Sequence, residues 1–368
     1  MCLGLVKLTC IGAMVGLAAC GSSSSSDSGV GSRYEIALVT DNGNLNDMSF
    51  NQEAWESVVA FAEPRGTTHQ HYTPPEESTT AYGEAIDLAV ANGAKVVVTP
   101  GYFFEEAIYL SQTSHPAVHF ILLDGEPHTA DDQTYRTDTN VQPILYAEQQ
   151  AGYLAGYAAV KDGYRSLGFM GGASVPAVVR YGMGFSLGAN DAAIERQTVV
   201  ALKYHYTGSF IASPEVQSLA TTWYEAGTEV IFACGGTVGL SVMTAAASQG
   251  KKVIGVDVDQ HHDSSTVITS AMKGVGASVL LALAAHYDGT WVGGTTWNLD
   301  ASNNGVGLPT ATASWGFSNF TLAEYDTIYG KLADKTVVVT VNTSYGIDAA
   351  GIALFNVSLP AVILTFES

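Results

Sequence analysis

The sequence predicts an α/β protein built from two similar lobes, each with a parallel sheet. Aliphatic and β-branched runs recur along the chain and alternate with longer segments of helical character. Strands that are apolar throughout and alternate with helices are typical of parallel sheets with both faces covered. The length of 368 residues corresponds to about two domains at roughly 150 residues each. The number of strand–helix units therefore favours two sheets over one.

The first twenty residues predict a targeting segment that precedes the fold. A single lysine is followed by an apolar stretch that is too short to span a bilayer and suits the core of a signal peptide. LAAC at 17–20 resembles a bacterial lipobox, which predicts cleavage of residues 1–19 and lipidation of Cys20. An ordinary signal peptide is the alternative. The Gly/Ser-rich residues 20–32 then predict a flexible linker from the anchor to the globular body.

From residue 33 onward, the elements follow one another in a regular order. The hydrophilic stretch 126–143 is predicted to cross between the lobes, and the absence of a short repeat excludes a solenoid. The predicted strands cover 34–40, 94–99, 117–123, 198–204, 228–233, 252–257 and 336–341. The predicted helices cover 51–63, 79–92, 103–114, 144–162, 178–194, 214–226, 237–249 and 273–287.

Composition narrows the classes of partner. A hydrophobic content of 47% supports sizeable cores and excludes global disorder. The chain has 35 acidic against 15 Lys and Arg residues, a formal net charge of -20, which repels phosphate backbones and excludes nucleic acid as a partner. Cys2 and Cys10 would leave with the signal and Cys20 would carry lipid. Cys234 then remains as a single buried thiol, without a disulfide framework.

Three predicted strands end in an acid. Asp41, Asp124 and Asp257 each follow an apolar run directly. A single acid in that place is often a helix cap. Because ligands of open parallel sheets bind at the carboxyl ends of the strands, three such acids favour a shared ligand cleft.

Several stretches of the sequence resemble one known family. They are VTDNGNLNDMSFNQEAW at 39–55, YLAGYAA at 153–159, PAVVRYGMGFSLGA at 176–189, YTGSF at 206–210, EVIFACGGTVG at 229–239, VIGVDVDQ at 253–260 and ITSAMKGV at 268–275. In this order they resemble the basic membrane lipoprotein family, whose best-known members include the purine nucleoside receptor A. Its members are lipid-anchored substrate-binding proteins of ABC importers.

The resemblance implies a type I periplasmic-binding-protein fold, with two Rossmann-like lobes joined by a hinge of three crossovers. Lobe 1 would contain 33–143 and 270–315, and lobe 2 would contain 144–269 and 316–368. The helix after Lys273 would pack back on lobe 1. The resemblance also implies a monomer that needs no cofactor, faces the periplasm or cell exterior, and passes its ligand to a permease and ATPase complex.

The resemblance further implies a nucleoside held between the lobes. Asp41 matches the acid after the first strand, while Phe50 and Phe210 match aromatics that stack on the two faces of the base. Asp124 matches an acid at the base edge, where a carboxylate suits N–H donors. Asp257 and Lys273 match the residues that bind the ribose hydroxyls. Three further predicted contacts are Ser49, Asn51 and the Gly235-Gly236 pair, which would let backbone approach the ligand.

Other interpretations of the same residues stay open at this point. Some relatives have an amide in place of Ser49, so Asn51 could supply the contact or simply begin the helix. Phe50 could be a hydrophobic staple of its helix, and Phe210 could belong to the core. His261-His262 lack the spacing of a zinc helix, which argues against a metal site.

An enzyme and a regulator are the alternatives to a binding protein. A nucleoside hydrolase would hold an activated water on clustered aspartates, and near the first strand the sequence has only Asp41 and Asp47. The G-x-S-x-G motif of α/β-hydrolases is also missing from the sequence. A sugar-responsive regulator or another ligand sensor of the same fold is the second alternative. The sequence therefore favours a binding protein without catalytic residues.

Overall fold

A computed structural model describes residues 34–41, 44–341 and 358–367. The described residues all belong to one compact unit, residues 33–368. The predicted signal segment, Cys20 and the whole linker to residue 32 lie outside the described residues. No helix within the described ranges is long and apolar enough to cross a membrane.

Strands and helices alternate along the described chain. The strands are β1 (Ile36–Val39), β2 (His69–Tyr72), β3 (Val96–Pro100), β4 (His119–Leu123), β5 (Val141–Tyr146), β6 (Ser166–Gly171), β7 (Val200–Tyr206), β8 (Val230–Cys234), β9 (Lys252–Asp257), β10 (Val267–Lys273), β11 (Trp297–Leu299), β12 (Val306–Gly307) and β13 (Val362–Phe366). The α-helices are α1 (Phe50–Ala62), α2 (Thr79–Ala91), α3 (Glu105–Ser114), α4 (Glu148–Asp162), α5 (Pro176–Glu195), α6 (Pro214–Glu225), α7 (Val238–Gln249), α8 (Val275–Tyr287) and α9 (Leu322–Ala333).

The first sheet has the order β11-β5-β4-β3-β1-β2 with parallel neighbours throughout. Successive residues of a strand face opposite sides of the sheet. Ile36 and Leu38 of β1 accordingly pack with α1 and α8, whereas Ala37 and Val39 pack with α2 and α3. Because helices cover both faces, β1 is fully buried, which explains its uninterrupted apolar sequence. This sheet and its helices form the first lobe.

The second sheet has the order β12-β10-β9-β8-β6-β7-β13, and only β12 runs antiparallel to its neighbour. Phe169 and Phe232 pack on the face covered by α4 and α5, whereas Met170 and Ile231 face α6 and α7. This sheet and its helices form the second lobe. The chain is therefore an α/β protein with two lobes built on parallel sheets, as the sequence predicts.

Helices α4 and α5 approach each other closely. A Cβ added to Gly152 would lie 2.1 Å from the carbonyl oxygen of Tyr181, and one added to Gly156 would lie 2.0 Å from that of Phe185. Only glycine leaves room for this backbone contact. The packing explains the small residues in YLAGYAA and brings the first turn of α4 beside α5.

Within the described residues, the chain passes between the sheets three times: after β5, after β10 and after β11. The predicted crossing at 126–143 is wrong, because this stretch joins β4 to β5 and the two strands pair in the same sheet. The division of the chain between the two lobes also differs from the predicted lobe boundaries. Residues 144–146 complete β5 in the first sheet, while β10 and β12 lie in the second. Helix α8 makes the predicted return to the first lobe and packs against α1.

Several strands differ from the prediction. The apolar run 336–341 forms no strand, and β13 takes the edge beside β7 instead. The predicted helix at 144 begins at Glu148, because pairing with β4 and then with β11 extends β5 to Tyr146. Strands β2 and β6 were missed because His69–Tyr72 is polar and partly exposed and Ser166–Gly171 contains glycines. Pairing with sheet neighbours overrides local composition at these places.

Candidate functional site

A cavity lies between the two lobes at the carboxyl ends of the strands. Its free space amounts to about 670 Å³ when the space open to solvent is counted. Ligands of open parallel sheets bind at this end. Ser49 is the one predicted site residue that does not line the cavity. The predicted residues that do are Asp41, Phe50, Asn51, Asp124, Phe210, Gly235, Gly236, Asp257 and Lys273.

Asp41 and Asn51 form a polar pair on the first-lobe side of the cavity. Asp41 follows β1, and its Oδ1 accepts a hydrogen bond of 3.2 Å from Asn51 Nδ2. Gly101 has a φ of +126°, and a Cβ there would lie 2.9 Å from Asp41 Oδ2, so glycine makes room for the carboxylate. Asn51 Oδ1 is buried and has no hydrogen-bond partner in the described protein. It can accept a hydrogen bond from a ligand.

Asp124 and Asp257 occupy equivalent positions in the two lobes. Asp124 follows β4 and Asp257 ends β9, and both are buried. Their φ angles are 62° and 64°, in the left-handed region where Asp is enriched among non-glycine residues. Each lobe thus contributes one carboxylate from a turn in this left-handed conformation.

Lys273 lies at the centre of these acids. Its Nζ is 2.5 Å from Asp124 Oδ2 and 3.5 Å from both Asp257 Oδ1 and Glu148 Oε1. Burial opposes the charged form, but the carboxylates raise the pKa of Lys273 above its usual value. The ammonium therefore stays protonated. The resemblance assigned Asp124 to the base and Lys273 to the sugar, yet their side chains are in direct contact.

The carboxylates around Lys273 differ in their electrostatics. Burial raises the pKa of Asp124, although the nearby Lys273 ammonium opposes this effect. Asp124 Oδ1 is buried without a hydrogen-bond partner among the described residues. Burial likewise acts against ionisation of Glu148, but Arg180 and Lys273 outweigh it and lower its pKa. The ionised form of Glu148 is therefore favoured, while Asp124 retains an oxygen that is free to accept a hydrogen bond.

Glu148 and Arg180 are not among the site residues predicted from the sequence. Glu148 is fully buried at the start of α4, and its Oε2 accepts a hydrogen bond of 2.6 Å from Arg180 Nε of α5. The close packing of α4 on α5 creates this pair. A signal was present in the sequence, since Glu148 and Arg180 lie near the starts of two helices rich in small residues, and charged residues in such closely packed helices are candidates for a buried ion pair.

Phe50 and Phe210 reach the cavity from opposite lobes. Phe50 begins α1, and the Nζ of Lys273 lies 4.4 Å from the centre of its ring, within range of a cation–π interaction. Phe210 lies in the loop after β7, over Gly172, where a Cβ would come within 2.5 Å of the ring. Both rings are only partly buried. Each therefore presents surface to the cavity as well as to the core.

The Gly235-Gly236 pair allows a close approach between protein segments. A Cβ on Gly235 would lie 2.7 Å from the amide nitrogen of Gly172. Gly236 has a φ of +51°, and its Cβ would lie 3.0 Å from the carbonyl oxygen of Phe210. The sequence predicts that this backbone approaches the ligand, and in the structure the nearest atoms to both glycines belong to Gly172 and Phe210. Both glycines also line the cavity.

Ser49 contacts a neighbouring acid instead of the cavity. Its Oγ donates a hydrogen bond of 2.7 Å to Asp257 Oδ2, and the residue is 1% exposed. The adjacent Asp47 caps α1 by accepting from the backbone N–H groups of Ser49, Asn51 and Gln52 at 2.8, 3.0 and 3.1 Å. The segment before α1 is thus held rigidly by its own hydrogen bonds.

Three aromatic residues that line the cavity were missed. Tyr102 and Phe103 follow β3, and Tyr181 of α5 donates a hydrogen bond of 3.3 Å to Asp257 Oδ1. The carboxyl-end rule that identified the acids also applies to Tyr102 and Phe103. Tyr181 comes from the second turn of α5, where the sequence offers no comparable signal.

The described residues show no centre for metal or thiol chemistry. They contain no group of three or more His, Cys, Asp or Glu side chains that could hold a metal ion. Cys234 lines the cavity as a free, buried thiol, and burial raises its pKa well above the usual value. A thiol held in its neutral form is a poor nucleophile.

Residues 35–335 match a family model described as "ABC transporter substrate-binding protein PnrA-like". The chain is 28% identical to the "ABC transporter nucleoside-binding protein BmpA" of Lactococcus lactis subsp. cremoris, over 76% of this chain and 83% of the relative. It is 25% identical to "Basic membrane protein B" of Borreliella burgdorferi, over 84% of this chain and 88% of the relative.

Solved structures show the same fold. An ABC transporter solute-binding protein from Aeropyrum pernix K1 superposes with a TM-score of 0.73 at 21% identity, covering 84% of this chain and 94% of that chain. One from Conexibacter woesei superposes with a TM-score of 0.65 at 23% identity, covering 83% and 98%. Because the family match extends over most of the described residues, the chain belongs to the PnrA-like family of ABC transporter substrate-binding proteins.

Proposed function

We propose that this protein binds a nucleoside, with a purine as the preferred base, and delivers it to an ABC importer. The observation that carries the proposal is the buried Lys273 ammonium, which contacts acids of both lobes and lies beside the ring of Phe50. Such an arrangement offers charged donors and acceptors to hydroxyl groups and an aromatic face to a base. The cavity that these residues line also lies at the carboxyl ends of the strands, where ligands of open parallel sheets bind.

The sugar end is assigned to Lys273, Asp124 and Asp257. A vicinal diol can donate hydrogen bonds to the two carboxylates and accept from the ammonium. Asp124 has an acceptor oxygen that no described protein group uses. Its contact with Lys273 supports a place at the sugar and not at the base edge. The ammonium balances the buried carboxylates that would otherwise repel each other.

The base end is assigned to Phe50, Phe210, Asn51 and Asp41. The two rings come from opposite lobes, so closure can bring them onto a planar base, and stacking on an aromatic ring is worth about 1–3 kcal/mol per base. The unpartnered Asn51 Oδ1 suits an N–H donor at the base edge. Asp41 orients the Asn51 amide through its hydrogen bond from Nδ2.

The charge of the lining selects for an uncharged ligand. Asp41, Asp47, Asp124 and Asp257 line the cavity, with Lys273 as the cation among the described lining residues. A phosphate group in such a field would meet net repulsion. We therefore expect nucleosides to bind in preference to nucleotides.

The comparisons with relatives support binding and delivery. The Lactococcus lactis relative is named a nucleoside-binding protein. The family consists of substrate-binding proteins of ABC transporters, which act outside the cytoplasm, and this chain is accordingly a binding protein and not an enzyme. We assign the permease and ATPase of an importer as its partners, a monomer as its working form, and a lipid on Cys20 as its anchor.

Isothermal titration of the purified full chain tests the proposal. The panel contains adenosine, guanosine, inosine, uridine, ribose, adenosine monophosphate and a set of amino acids. Binding of a purine nucleoside, with weaker binding of uridine, ribose and the monophosphate, is the expected result. Binding of an amino acid or ribose alone would refute the nucleoside assignment. Chromatography of the ligand after hours of incubation should show it intact.

A further inference from the structure

We propose that Ser49 is a positioning residue that couples closure of the two lobes to the orientation of Asp257. Ser49 does not line the cavity, although the sequence suggested a ligand contact. Its place in the structure indicates a different task. The inference rests on the proposed function in one respect, namely that Asp257 contacts the ligand.

The contact between Ser49 and Asp257 joins the lobes. Ser49 lies immediately before α1 in the first lobe, and Asp257 ends β9 in the second. The hydrogen bond from Ser49 Oγ to Asp257 Oδ2 is 2.7 Å long and is buried. A hydrogen bond to a carboxylate is stronger than one between neutral groups. Separation of the lobes would break it and return both groups to water.

A second hydrogen bond crosses the cleft beside the first. Gln260 Nε2 donates to the carbonyl oxygen of Met48 at 2.9 Å, while Gln260 Oε1 accepts from the N–H of Val256 at 2.9 Å. Gln260 is 2% exposed and is therefore held in one place. Residues 48 and 49 together form a two-point contact with the 256–260 turn.

The first-lobe side of this contact is preorganised. Met48 has a φ of 56°, a conformation that costs free energy in a non-glycine residue and persists only when its surroundings impose it. Its N–H donates to Gln52 Oε1 at 3.0 Å, and the carboxylate of Asp47 holds the following turn. The segment can therefore present Ser49 without first becoming ordered.

Asp257 is thus oriented from both lobes. Tyr181 of its own lobe donates to Oδ1, and Ser49 of the other lobe donates to Oδ2. The second donor is in reach only when the lobes are closed. A ligand hydroxyl then meets a carboxylate that is already aligned. Loss of the Ser49 hydroxyl should therefore speed ligand release more than it slows association.

The experiment uses the full chain and four variants. Ser49→Ala removes the cleft-crossing donor, Ser49→Thr restores a hydroxyl, and Gln260→Glu replaces the donor to Met48 with an acceptor. Thr228→Val is the matched control, because the Thr228 hydroxyl is also buried but has no hydrogen-bond partner in the described structure. Stopped-flow fluorescence gives the association and dissociation rates of adenosine. Spin labels on the exposed sides of α2 and α6 give the distance between the lobes with and without adenosine.

We expect Ser49→Ala to raise the adenosine dissociation rate about ten- to a hundredfold, the equivalent of a lost hydrogen bond to a charged group. The association rate should change less than threefold, because variants of one binding site differ mainly in their dissociation rates. Without adenosine, Ser49→Ala and Gln260→Glu should shift the distance distribution toward open forms. Ser49→Thr and the Thr228 control should resemble the wild type.

The two hypotheses fail in different ways. If the wild type does not bind adenosine or any nucleoside, the proposed function fails, and the distance measurement still decides the role of Ser49. An unchanged distance distribution in Ser49→Ala would overturn the inference whatever the ligand. A wild type that binds adenosine while Ser49→Ala releases it at the same rate would overturn the inference alone.

Discussion

Replacement of Lys273 by methionine should destabilise the protein strongly. The Nζ lies 2.5 Å from Asp124 and 3.5 Å from Glu148 and Asp257. At an effective dielectric constant of about 20, attraction across 3.5 Å is roughly 5 kcal/mol per neighbour before desolvation. Desolvation offsets much of this in the wild type. Removal of the Lys273 ammonium leaves the neighbouring carboxylates buried without its positive charge. We therefore expect the free energy of unfolding to fall by about 3–5 kcal/mol.

The loss should depend on pH. Burial already raises the pKa of Asp124 in the folded protein, and without the Lys273 ammonium this pKa should rise further. When the pKa of a carboxyl group is higher in the folded than in the unfolded protein, the group does not destabilise the fold below its unfolded-state pKa, near 4. The protein loses stability as the pH rises from there through the folded-state pKa. The difference between wild type and Lys273→Met should therefore be small at pH 4.5 and large at pH 8.

Thermal unfolding followed by circular dichroism at several pH values measures this difference. At roughly 2.1 cal/mol/K per residue, the unfolding entropy of the unit 33–368 gives about 1.4 °C per kcal/mol, so the melting temperature at pH 8 should fall by about 4–7 °C. Lys95→Met is the control, because Lys95 pairs with Glu35 at 2.9 Å on the exposed surface, where such pairs contribute at most about 1 kcal/mol. Adding Asp124→Asn to Lys273→Met should restore part of the loss. A variant that melts like the wild type at pH 8, or a difference independent of pH, would refute this reasoning.

Three further predictions concern the ligand and the membrane. Phe50→Ala and Phe210→Ala should each weaken nucleoside binding by about 1–3 kcal/mol in calorimetry, and unchanged affinity in the Phe50 variant would make that residue a helix staple. The wild type should bind 2′-deoxyadenosine about ten- to a hundredfold more weakly than adenosine, and Asp257→Ala should shrink this discrimination. Equal binding of both by the wild type would contradict the sugar assignment. Cys20→Ser should move the protein from the membrane to the soluble fraction, and retention after detergent-free washing would contradict the lipobox.

The fold class could be predicted because buried parallel strands leave a local record. The apolar run of β1 and the runs of β3, β4, β8 and β9 are continuous, since helices cover both faces of each sheet. The edge strand β2 was missed because it is partly exposed, and a partly exposed strand does not need an apolar sequence. The run at 336–341 shows the converse: apolar composition without a sheet neighbour produced no strand.

The amino-acid sequence by itself determined the two-lobed α/β class, the acids at the strand ends and the aromatic at the start of α1. These features depend on neighbours a few residues apart, where periodicity reports burial. Tertiary structure alone decided that Lys273 contacts Asp124 and that Ser49 contacts Asp257. Those pairs are 149 and 208 residues apart in the chain. Such contacts depend on how the two lobes pack against each other, and local sequence patterns do not indicate that packing.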